Sequence, residues 1–307
     1  MGVLVIGSFM MDCVTQAPRA PQAGETLIGT AYRTIPGGKG ANQAVAARRL
    51  GSDVIMAGCL GEDAFGQTFV ETFKQEGIDI KHVRFSQTHT GIGSILLEDN
   101  GENRIVVIPG ANMAYTVADL QSLDEAIKQA NVVMMQLEMR LDVVDTASQL
   151  CEQHSTPLIL NPAPAQALSH KLLARVDYLT PNESELARLV GRSHLENLEE
   201  KCIAAQTLIA LGVRRVIVTL GAEGCLLVDA QQTLHVPGHS VTVVDTVAAG
   251  DAFNGALAYG IDRGMPLEKT LALANAVGAL TVQKHGAIPS LPTLDAVYSF
   301  CKSKSCT

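Results

Sequence analysis

The sequence contains no tryptophan, and aromatic residues of all kinds make up only 4% of its 307 residues. It has no apolar run near the ~20 residues that a membrane-spanning helix needs, and its first residues read as a strand rather than a signal peptide. The net charge is −8, and no basic run is longer than Lys302-Ser303-Lys304 near the C-terminus. These absences argue against membrane and nucleic-acid partners, so we expect a protein that acts on small molecules.

The cysteines and histidines form no disulfide or zinc pattern. Seven cysteines are scattered along the chain and never occur as C-x-x-C, which predicts free thiols in a reducing compartment and therefore a cytoplasmic protein. His235 and His239 are four residues apart, but Pro237 and Gly238 lie between them and would break the helix needed to align them. We therefore expect no zinc site.

Short aliphatic runs alternate with helical stretches along most of the chain. The expected strands are Val3–Ile6, Val54–Ala57, Val132–Met135, Leu158–Leu160, Val176–Leu179 and Val216–Leu220, followed by a hairpin over Cys225–Val236. The expected helices are Phe65–Glu76, Val117–Ala130, Leu141–His154, Ser184–Val190 and Leu195–Leu211. This alternation, with 47% hydrophobic residues, predicts an α/β fold. We expect a doubly wound, mostly parallel sheet flanked by helices, with ligands beyond the carboxyl ends of its strands.

Two stretches break this alternation. Residues 14–35 are extended and polar without a helical period, and residues 94–108 predict a β-hairpin around the turn Asp99-Asn100-Gly101-Glu102-Asn103. Ordinary surface insertions explain both stretches equally well. Because no linker or repeat occurs elsewhere, we expect one domain over residues 1–307, with insertions at about 14–35 and 90–110.

The most informative segment is V-V-D-T-V-A-A-G-D-A-F-N-G-A at residues 243–256, where an apolar run ends in small residues before a helix. Ala248, Ala249 and Gly250 can present backbone N–H groups at the helix start, where the amides lack partners and the helix dipole is positive. Such a turn can bind a phosphate. Asp251 would then lie beside the anion, as a base that takes a proton from an attacking hydroxyl. Taken alone, the segment is explained better by a plain strand–loop–helix turn with Asp at the first helical position.

A second small-residue turn, P-G-G-K-G-A-N-Q-A at residues 36–44, lies far upstream. Its glycines permit a tight backbone and a close approach to a ligand, and Lys39 and Asn42 lie at the mouth of the helix that follows. The turn is not a Walker A loop, because Gly40 rather than Ser or Thr follows the lysine. It is not a dinucleotide fingerprint either, since no G-x-G-x-x-G opens the first strand–helix turn.

Together the two segments resemble the paired signatures of the ribokinase-like (phosphofructokinase-B type) carbohydrate kinases and, within that family, its ribokinase branch. Five motifs between them follow the family's order: G-C-L-G-E-D-A-F-G at 58–66, M-Q-L-E at 135–138, N-P-A-P-A at 161–165, T-P-N-E-S-E at 180–185 and T-L-G-A-E-G at 219–224. The resemblance covers essentially the whole chain. It implies that the two insertions form a small β-sheet lid, which covers the sugar and pairs with its copy in a homodimer.

The resemblance also implies a site, carried over residue by residue. Asp251 is the implied general base, and the backbone of Ala248, Ala249 and Gly250 is the implied anion hole. The implied sugar-binding residues are Asp12, Gly37, Gly38, Lys39, Asn42 and Glu138, together with Asp251. The implied residues for ATP and its Mg²⁺ shell are Asn182, Glu185, Thr219, Gly221, Ala222, Gly224, Gly250 and Asn275. A monovalent cation, taken to be K⁺, is implied at Asp245, Val247, Thr281, Lys284, Gly286 and Ser290, mostly through backbone carbonyls.

Several of these residues also have an ordinary structural interpretation. Asp12 could be a turn residue and Glu138 a solvated acid at a strand end. Asn182 and Glu185 fit a helix cap with a first-turn acid, a role that is compatible with binding phosphate. Residues 281–290 could be a plain loop at the end of a helix.

The function implied by the resemblance is ATP-dependent phosphorylation of the primary O5 hydroxyl of D-ribose to ribose 5-phosphate. The first alternative is a kinase for 2-deoxyribose, a hexose or a nucleoside. A nucleoside would call for aromatic side chains, and the lid offers only Tyr32 and Phe85 nearby. A catalytically silent sugar-binding regulator is the second alternative, and the intact Asp251 turn argues against it.

Two positions depart from the pattern of many relatives. Ala248 stands where many have glycine, which matters only if the position needs a positive φ. Met10 stands where many have asparagine, and an asparagine can hydrogen-bond a sugar hydroxyl whereas a thioether offers a soft apolar surface. We therefore expect ribose to be preferred over 2-deoxyribose, but by a smaller factor than with asparagine.

Overall fold

A mixed nine-stranded sheet is the centre of the fold, which the computed structural model describes for residues 2–303. The strands in chain order are β1 Val3–Ile6, β2 Met10–Ala17, β3 Ala31–Gly37, β4 Val54–Gly61, β5 Asp79–Ser86, β6 Gly91–Glu98, β7 Asn103–Ile108, β8 Val132–Met135, β9 Leu158–Leu160, β10 Tyr178–Leu179, β11 Arg215–Thr219, β12 Cys225–Asp229 and β13 Thr233–Val236. The large sheet has the order β13-β12-β11-β10-β9-β8-β1-β4-β5. The pairs from β11 to β5 are parallel, and β12 and β13 form an antiparallel hairpin at one edge. The predicted doubly wound α/β sheet is confirmed.

Two layers of helices cover the two faces of this sheet, as alternating side chains on buried strands require. Val3 and Val5 belong to one core, whereas Leu4 and Ile6 belong to the other. The helices are α1 Lys39–Arg49, α2 Ala64–Glu76, α3 Asp124–Gln129, α4 Leu141–His154, α5 His170–Leu173, α6 Glu183–Leu189, α7 Leu198–Ala210, α8 Ala249–Asp262, α9 Leu267–Thr281 and α10 Leu294–Ser303. The first core is covered by α1, α2, α8, α9 and α10, and the second by α3 to α7.

The clearest differences from the predicted elements are a broken helix, a shorter strand β10 and a longer strand β4, which ends at Gly61 rather than at Ala57. The helix expected over 117–130 is a 3-10 helix at Val117–Leu123 followed by α3. Within that segment the hydroxyl of Ser122 donates to a backbone carbonyl three residues earlier, which competes with the regular helical ladder. Strand β10 is shorter than expected, because the N–H of Val176 donates to the carbonyl of Leu173 in the turn after α5.

A separate four-stranded sheet, in the order β3-β2-β6-β7, is formed by the segments that broke the alternation. It reaches further than predicted, because β2 begins at Met10 rather than at residue 14. Strands β2 and β6 pair in parallel, so the two insertions meet in one sheet. At its base the side chain of Asn112 hydrogen-bonds both backbone groups of Phe9 and the carbonyl of Pro109, which ties both insertions to the main body.

No helix among residues 2–303 is long and apolar enough to cross a membrane. Cys13, Cys59, Cys151, Cys202 and Cys225 are free thiols. Cys306 and the end of the basic run at Lys304 lie outside the described residues.

Candidate active site

The start of α8 has the geometry of an anion-binding turn. Ala248 caps the helix in the left-handed region, with φ 61°, a conformation that costs a residue with a β-carbon of order 1–2 kcal/mol. Within residues 2–303 the N–H groups of Ala248 and Gly250 meet no acceptor, and that of Ala249 makes only a long 3.4 Å bond to the carbonyl of Thr246. These amides are therefore available to a ligand. Position 248 does need a positive φ, so the replacement of glycine by alanine has a structural cost here.

Asp251 lies in the first turn of α8 and is only 7% exposed. Its two carboxylate oxygens accept hydrogen bonds from side chains of α1: Oδ2 from Asn42 Nδ2 at 2.8 Å, and Oδ1 from Gln43 Nε2 at 3.0 Å. The N-terminal turn predicted from P-G-G-K-G-A-N-Q-A therefore meets the second signature directly. Asn42 Oδ1 is buried without a hydrogen-bond partner in the described chain, and such a group calls for a donor.

A polar cavity of about 190 Å³ opens in front of Asp251 and the start of α8. It lies at the carboxyl ends of β9, β10 and β11, where ligands of a doubly wound sheet bind. The lining residues are Lys39, Asn161, Ala163, Thr180, Asn182, Glu185, Thr219, Thr246, Ala248, Ala249, Gly250, Asp251 and Asn254. A β-carbon added at Gly250 would meet nothing within 4 Å, so the anion-binding turn faces open space.

Asp12 lies on β2, outside the cavity lining but close enough to Asp251 for the two carboxylates to interact. A β-carbon at Gly93 would lie 2.5 Å from Asp12 Oδ1, so the glycine on β6 makes room for the carboxylate. Burial, with the nearby carboxylates of Glu138 and Asp251, raises the pKa of Asp12 from 3.8 to about 7. A partly desolvated acid in this position is suited to accept hydrogen bonds from the hydroxyl groups of a polar ligand.

Glu138, at the end of the segment after β8, is held in place from two directions. Its Oε2 accepts the hydroxyl of Ser8 at 2.6 Å and the backbone N–H of Lys39 at 3.0 Å. Ser8 in turn accepts the N–H of Gly40 at 3.2 Å. The glutamate is thus fixed against the start of α1, which disfavours the interpretation as a freely solvated strand-end acid.

Lys39 joins the two halves of the site. Burial alone would lower the pKa of Lys39, but three nearby carboxylates outweigh it and raise that pKa. They belong to Asp251, Glu138 and Glu185. The ammonium group is therefore kept charged between the predicted sugar residues and the predicted phosphate residues.

Asn182 and Glu185 form a capping box at the start of α6. Asn182 Oδ1 accepts the N–H of Glu185, and Glu185 Oε2 accepts the N–H of Asn182, both at 2.8 Å. Both residues line the cavity as well, so the cap interpretation and the phosphate interpretation are compatible. Burial raises the pKa of Glu185, and Lys39 and the Asn182 amide oppose that rise.

The residues predicted for the nucleotide separate into two groups. Thr219 lines the cavity and pairs with Asn182 through a parallel bridge. Gly221, Ala222 and Gly224 form the turn after β11, outside the cavity lining. Asn275 also lies outside it, and its Nδ2 donates to the carbonyls of Val236 and Pro237 at 3.0 and 3.1 Å.

The segments predicted to hold a monovalent cation are tied together by Asp245. Its Oδ1 accepts the N–H of Val247 at 3.0 Å, and its Oδ2 accepts the N–H of Gly286 at 2.9 Å. The hydroxyls of Thr281 and Ser290 donate to carbonyls of their own segments, which leaves their oxygens free to accept. Lys284 lies in the same loop and is exposed. Over the described range, no group of three or more His, Cys, Asp and Glu side chains could hold a metal ion.

Several site residues were missed by the sequence analysis. Gln43, Asn161, Thr180, Asn254 and Ser8 are at most 7% exposed, and each is linked by hydrogen bonds to a predicted site residue or to its immediate support. A signal existed, because Gln43 stands next to Asn42 in the N-terminal motif and Asn161 opens the N-P-A-P-A motif. A polar residue that is buried within such a motif needs a hydrogen-bond partner, and that requirement is the signal.

Comparison with known proteins gives one consistent result. A family model described as pfkB family carbohydrate kinase matches residues 2–294. The chain is 38% identical over 296 residues to the ribokinase of Lactococcus lactis, covering 96% of this chain and 95% of that protein. It is 34% identical over 297 residues to the deoxyribokinase of Salmonella typhi, covering 96% and 97%. The solved structure of Arabidopsis thaliana ribokinase complexed with ribose and ATP matches with a TM-score of 0.93 at 32% identity and 98% coverage of both chains.

Proposed function

The chain belongs to the pfkB family of carbohydrate kinases, and we propose that it transfers the γ-phosphoryl group of ATP to the primary O5 hydroxyl of D-ribose. The family makes the chain a sugar phosphotransferase. The choice of ribose and ATP is supported by ribokinases at 38% identity and by a matching structure that holds both ligands.

One observation carries the proposal: Asp251 lines the same cavity as Ala248, Ala249 and Gly250, whose amides make at most one long hydrogen bond within the described chain. Phosphoryl transfer needs the acceptor hydroxyl in line with the γ-phosphorus and charge stabilisation on the phosphoryl oxygens. Asp251 takes the proton of the sugar O5 hydroxyl as the hydroxyl attacks. The donors from Asn42 and Gln43 hold this carboxylate at the boundary between the sugar residues and the phosphate turn.

The backbone of Ala248, Ala249 and Gly250 serves as the anion hole. These residues belong to the backbone that lines the cavity, so their amides need not reorient as charge develops on the phosphoryl group. Lys39, whose pKa is raised by the surrounding carboxylates, adds a positive charge on the path between donor and acceptor. On the sugar side, Asp12 and Glu138 accept hydrogen bonds from sugar hydroxyl groups. The unpaired Asn42 Oδ1 accepts a hydrogen bond from another hydroxyl group.

Magnesium fits the phosphate side of the cavity. Asn182 and Glu185 present amide and carboxylate oxygens there, and hard oxygen ligands, commonly with water between, are what Mg²⁺ prefers. Glu185 uses Oε2 in the capping box, so its other oxygen remains for the water shell of the ion. When bound with ATP, the ion neutralises charge on the β- and γ-phosphates.

We also propose a monovalent cation behind the anion hole, and the residues present fit one. Asp245 connects the turn before α8 to the loop 281–290. The atoms that could coordinate the cation in both segments are carbonyl and hydroxyl oxygens, which suit a hard cation. A bound cation would order the turn that carries the anion hole. Replacing potassium by a large organic cation at constant ionic strength should slow turnover without changing the far-UV spectrum, and equal rates would remove this site.

The four-stranded sheet is proposed as a lid and as the surface of a homodimer. Its edge strand β7 exposes Ile105, Val106, Val107 and Ile108 by 41–64%, and a long exposed apolar edge strand is a site where another chain can pair. Closure over the sugar would exclude the water that competes as phosphoryl acceptor. Sedimentation of wild type and Val106→Lys tests this; a wild-type monomer at micromolar concentration would contradict the dimer.

We propose a cytoplasmic location from the free thiols.

A second candidate substrate is 2-deoxyribose. Met10 is 4% exposed and stands at the start of β2, two residues before Asp12, and a deoxyribokinase is 34% identical over nearly the whole chain. A silent sugar-binding regulator is disfavoured by the intact geometry around Asp251. Coupled measurement of ATP consumption against a panel of pentoses, hexoses and nucleosides decides between these functions. We expect ribose to have the highest kcat/KM, and no sugar-dependent ATP consumption would overturn the proposed function.

A further inference from the structure

Beneath the cavity, a chain of buried side-chain amides leads to the carboxylate of Asp251. Gln136, in the segment after β8, donates from Nε2 to Gln43 Oε1 at 2.7 Å. Gln43 Nε2 then donates to Asp251 Oδ1 at 3.0 Å and to Asn161 Oδ1 at 3.2 Å. Gln43 is 0% exposed and Gln136 is 1% exposed, so no solvent competes for these bonds.

The same chain continues to the backbone of the anion-binding turn. Asn161 Nδ2 donates to the carbonyl of Thr180 at 3.0 Å, and the hydroxyl of Thr180 donates to Asn254 Oδ1 at 2.7 Å. Asn254 Nδ2 in turn donates to the carbonyl of Gly250 at 2.8 Å. The network therefore contacts both the carboxylate of Asp251 and the peptide bond that precedes it.

The orientation of the Gln43 amide is fixed by its partners. Its oxygen accepts the only amide hydrogen bond offered to it, from Gln136, and its nitrogen uses both hydrogens, on Asp251 and Asn161. If the Gln43 amide were flipped, its oxygen would face the two acceptors Asp251 Oδ1 and Asn161 Oδ1. Both acceptors would then lack this donor in a dry interior, which costs roughly 1–3 kcal/mol for each group. The donor aimed at Asp251 therefore cannot turn away.

We propose that Gln43 is a positioning residue: held by Gln136, it fixes the rotation of the Asp251 carboxylate so that one oxygen faces the O5 hydroxyl of the sugar. This rests on the proposed role of Asp251 as the base. Asn42 holds only Oδ2, and a carboxylate held at one oxygen can rotate toward the nearby positive charge of Lys39. A rotated carboxylate no longer presents its lone pair to the hydroxyl, although sugar and ATP still bind.

The test is a double-mutant cycle between Gln43→Met and Asp251→Asn. Methionine keeps the length and burial of the side chain but removes its donors and acceptor. Because a misplacement of about 1 Å can cost ~10²-fold in rate, we expect Gln43→Met to lower kcat by about 10- to 100-fold. The KM values for sugar and ATP should stay within about threefold, since ground-state binding does not need the rotation. The double variant should be no slower than Asp251→Asn alone, because Gln43 acts through that carboxylate.

Thr156→Val is the matched control. The Thr156 hydroxyl is buried and donates to the carbonyl of Ile127 at 2.9 Å, between α4 and α3 and away from the cavity. Its loss should lower Tm as any broken buried hydrogen bond does, with kcat unchanged. An unchanged kcat in folded Gln43→Met, or a loss that adds in full to that of Asp251→Asn, would overturn the proposal.

A second variant decides the matter if Gln43→Met does not fold. Gln136→Met leaves Gln43 in place but removes the bond that fixes its amide, so we expect kcat to fall by up to about tenfold with KM unchanged. A wild-type kcat in Gln136→Met would overturn the proposal in that case. The role of the base is judged separately: full activity in Asp251→Asn would overturn the proposed base, whereas an inactive Asp251→Asn beside a fully active Gln43→Met would overturn only this inference.

Discussion

The floor of the cavity and the four-stranded sheet that we propose as a lid are built by opposite means. In the floor, polar side chains are buried and hydrogen-bonded to one another: Gln43 is 0% exposed, Asn254 is 1% and Asp251 is 7%. In the small sheet, strand β7 is exposed along its whole length, and the sheet joins the main body at its base through Asn112. Side chains that must hold one geometry thus lie in the dry interior, whereas the sheet that we propose as a lid has an edge strand open to solvent.

This difference predicts that substitutions in the two regions affect different properties of the enzyme. A change in the floor should alter kcat, because the proposed mechanism places proton transfer and charge stabilisation there. A change in the small sheet should alter which sugar binds and how tightly, because β2 carries Met10 and Asp12. The predictions below test this division.

The largest effect is expected from Asp251→Asn in the floor. Asparagine keeps the shape but cannot accept the proton, so turnover should fall by the ~10²–10⁴-fold that is typical of the loss of a general base. Sugar and nucleotide affinities, measured by calorimetry, should be largely kept. A variant that retains more than about a tenth of wild-type turnover shows that another group is the base.

Asp12 on the small sheet should make the stability of the ligand-free protein depend on pH. Its pKa is raised from 3.8 to about 7, so between about pH 4 and 7 the folded protein holds a proton that the unfolded chain has released. Stability therefore falls as pH rises through this window and the contribution is lost above pH 7. From pH 5 to 7 the free energy of unfolding should fall by about 2 kcal/mol more in wild type than in Asp12→Asn, a shift of a few degrees in Tm. If the free energy of unfolding changed equally with pH in wild type and in Asp12→Asn, the burial of this acid would be contradicted.

Met10 should set the width of sugar discrimination. A hydrogen bond from asparagine to a hydroxyl contributes ~0.5–1.5 kcal/mol, so Met10→Asn should widen the preference for ribose over 2-deoxyribose by up to about tenfold in kcat/KM. The unpaired carboxylate of Asp12 would penalise a sugar that lacks its hydroxyl in both variants. A wild-type preference for 2-deoxyribose would reject ribose as the substrate, and an unchanged ratio in Met10→Asn would reject the role of Met10.

The smallest effect is expected from the strained residue of the floor. Ala248 and Ser155 are the two residues other than glycine with positive φ among those described, at 61° and 56°. Glycine at either position should raise stability by up to about 1 kcal/mol, since it removes the β-carbon clash. Ser155→Gly, at the end of α4, is the matched control for kcat. A loss of stability in Ala248→Gly alone shows that the methyl group contributes more through packing than it costs in strain.

The sequence predicted the sheet better than the site because a short aliphatic run is a local signal. Val3 and Leu4 face opposite cores, so a strand that is buried on both faces is apolar at every position, and a few residues are enough to show it. The contact between Gln43 and Asp251 joins positions 208 residues apart, and only the folded chain shows which buried amide meets which carboxylate. Likewise, the sequence does not show whether position 248 needs a positive φ, and only the folded backbone shows that it does. The ligand roles of Asn275 and of the loop 281–290 stay predictions.

The most direct test of the account is the ³¹P NMR spectrum of the product formed from ATP and ribose by the wild-type protein. If Asp251 activates the primary O5 hydroxyl, the new phosphate ester lies on a carbon with two protons and its coupled signal is a triplet. A doublet, from phosphate on a carbon with one proton, or the absence of any new ester with ribose, would contradict the central claim.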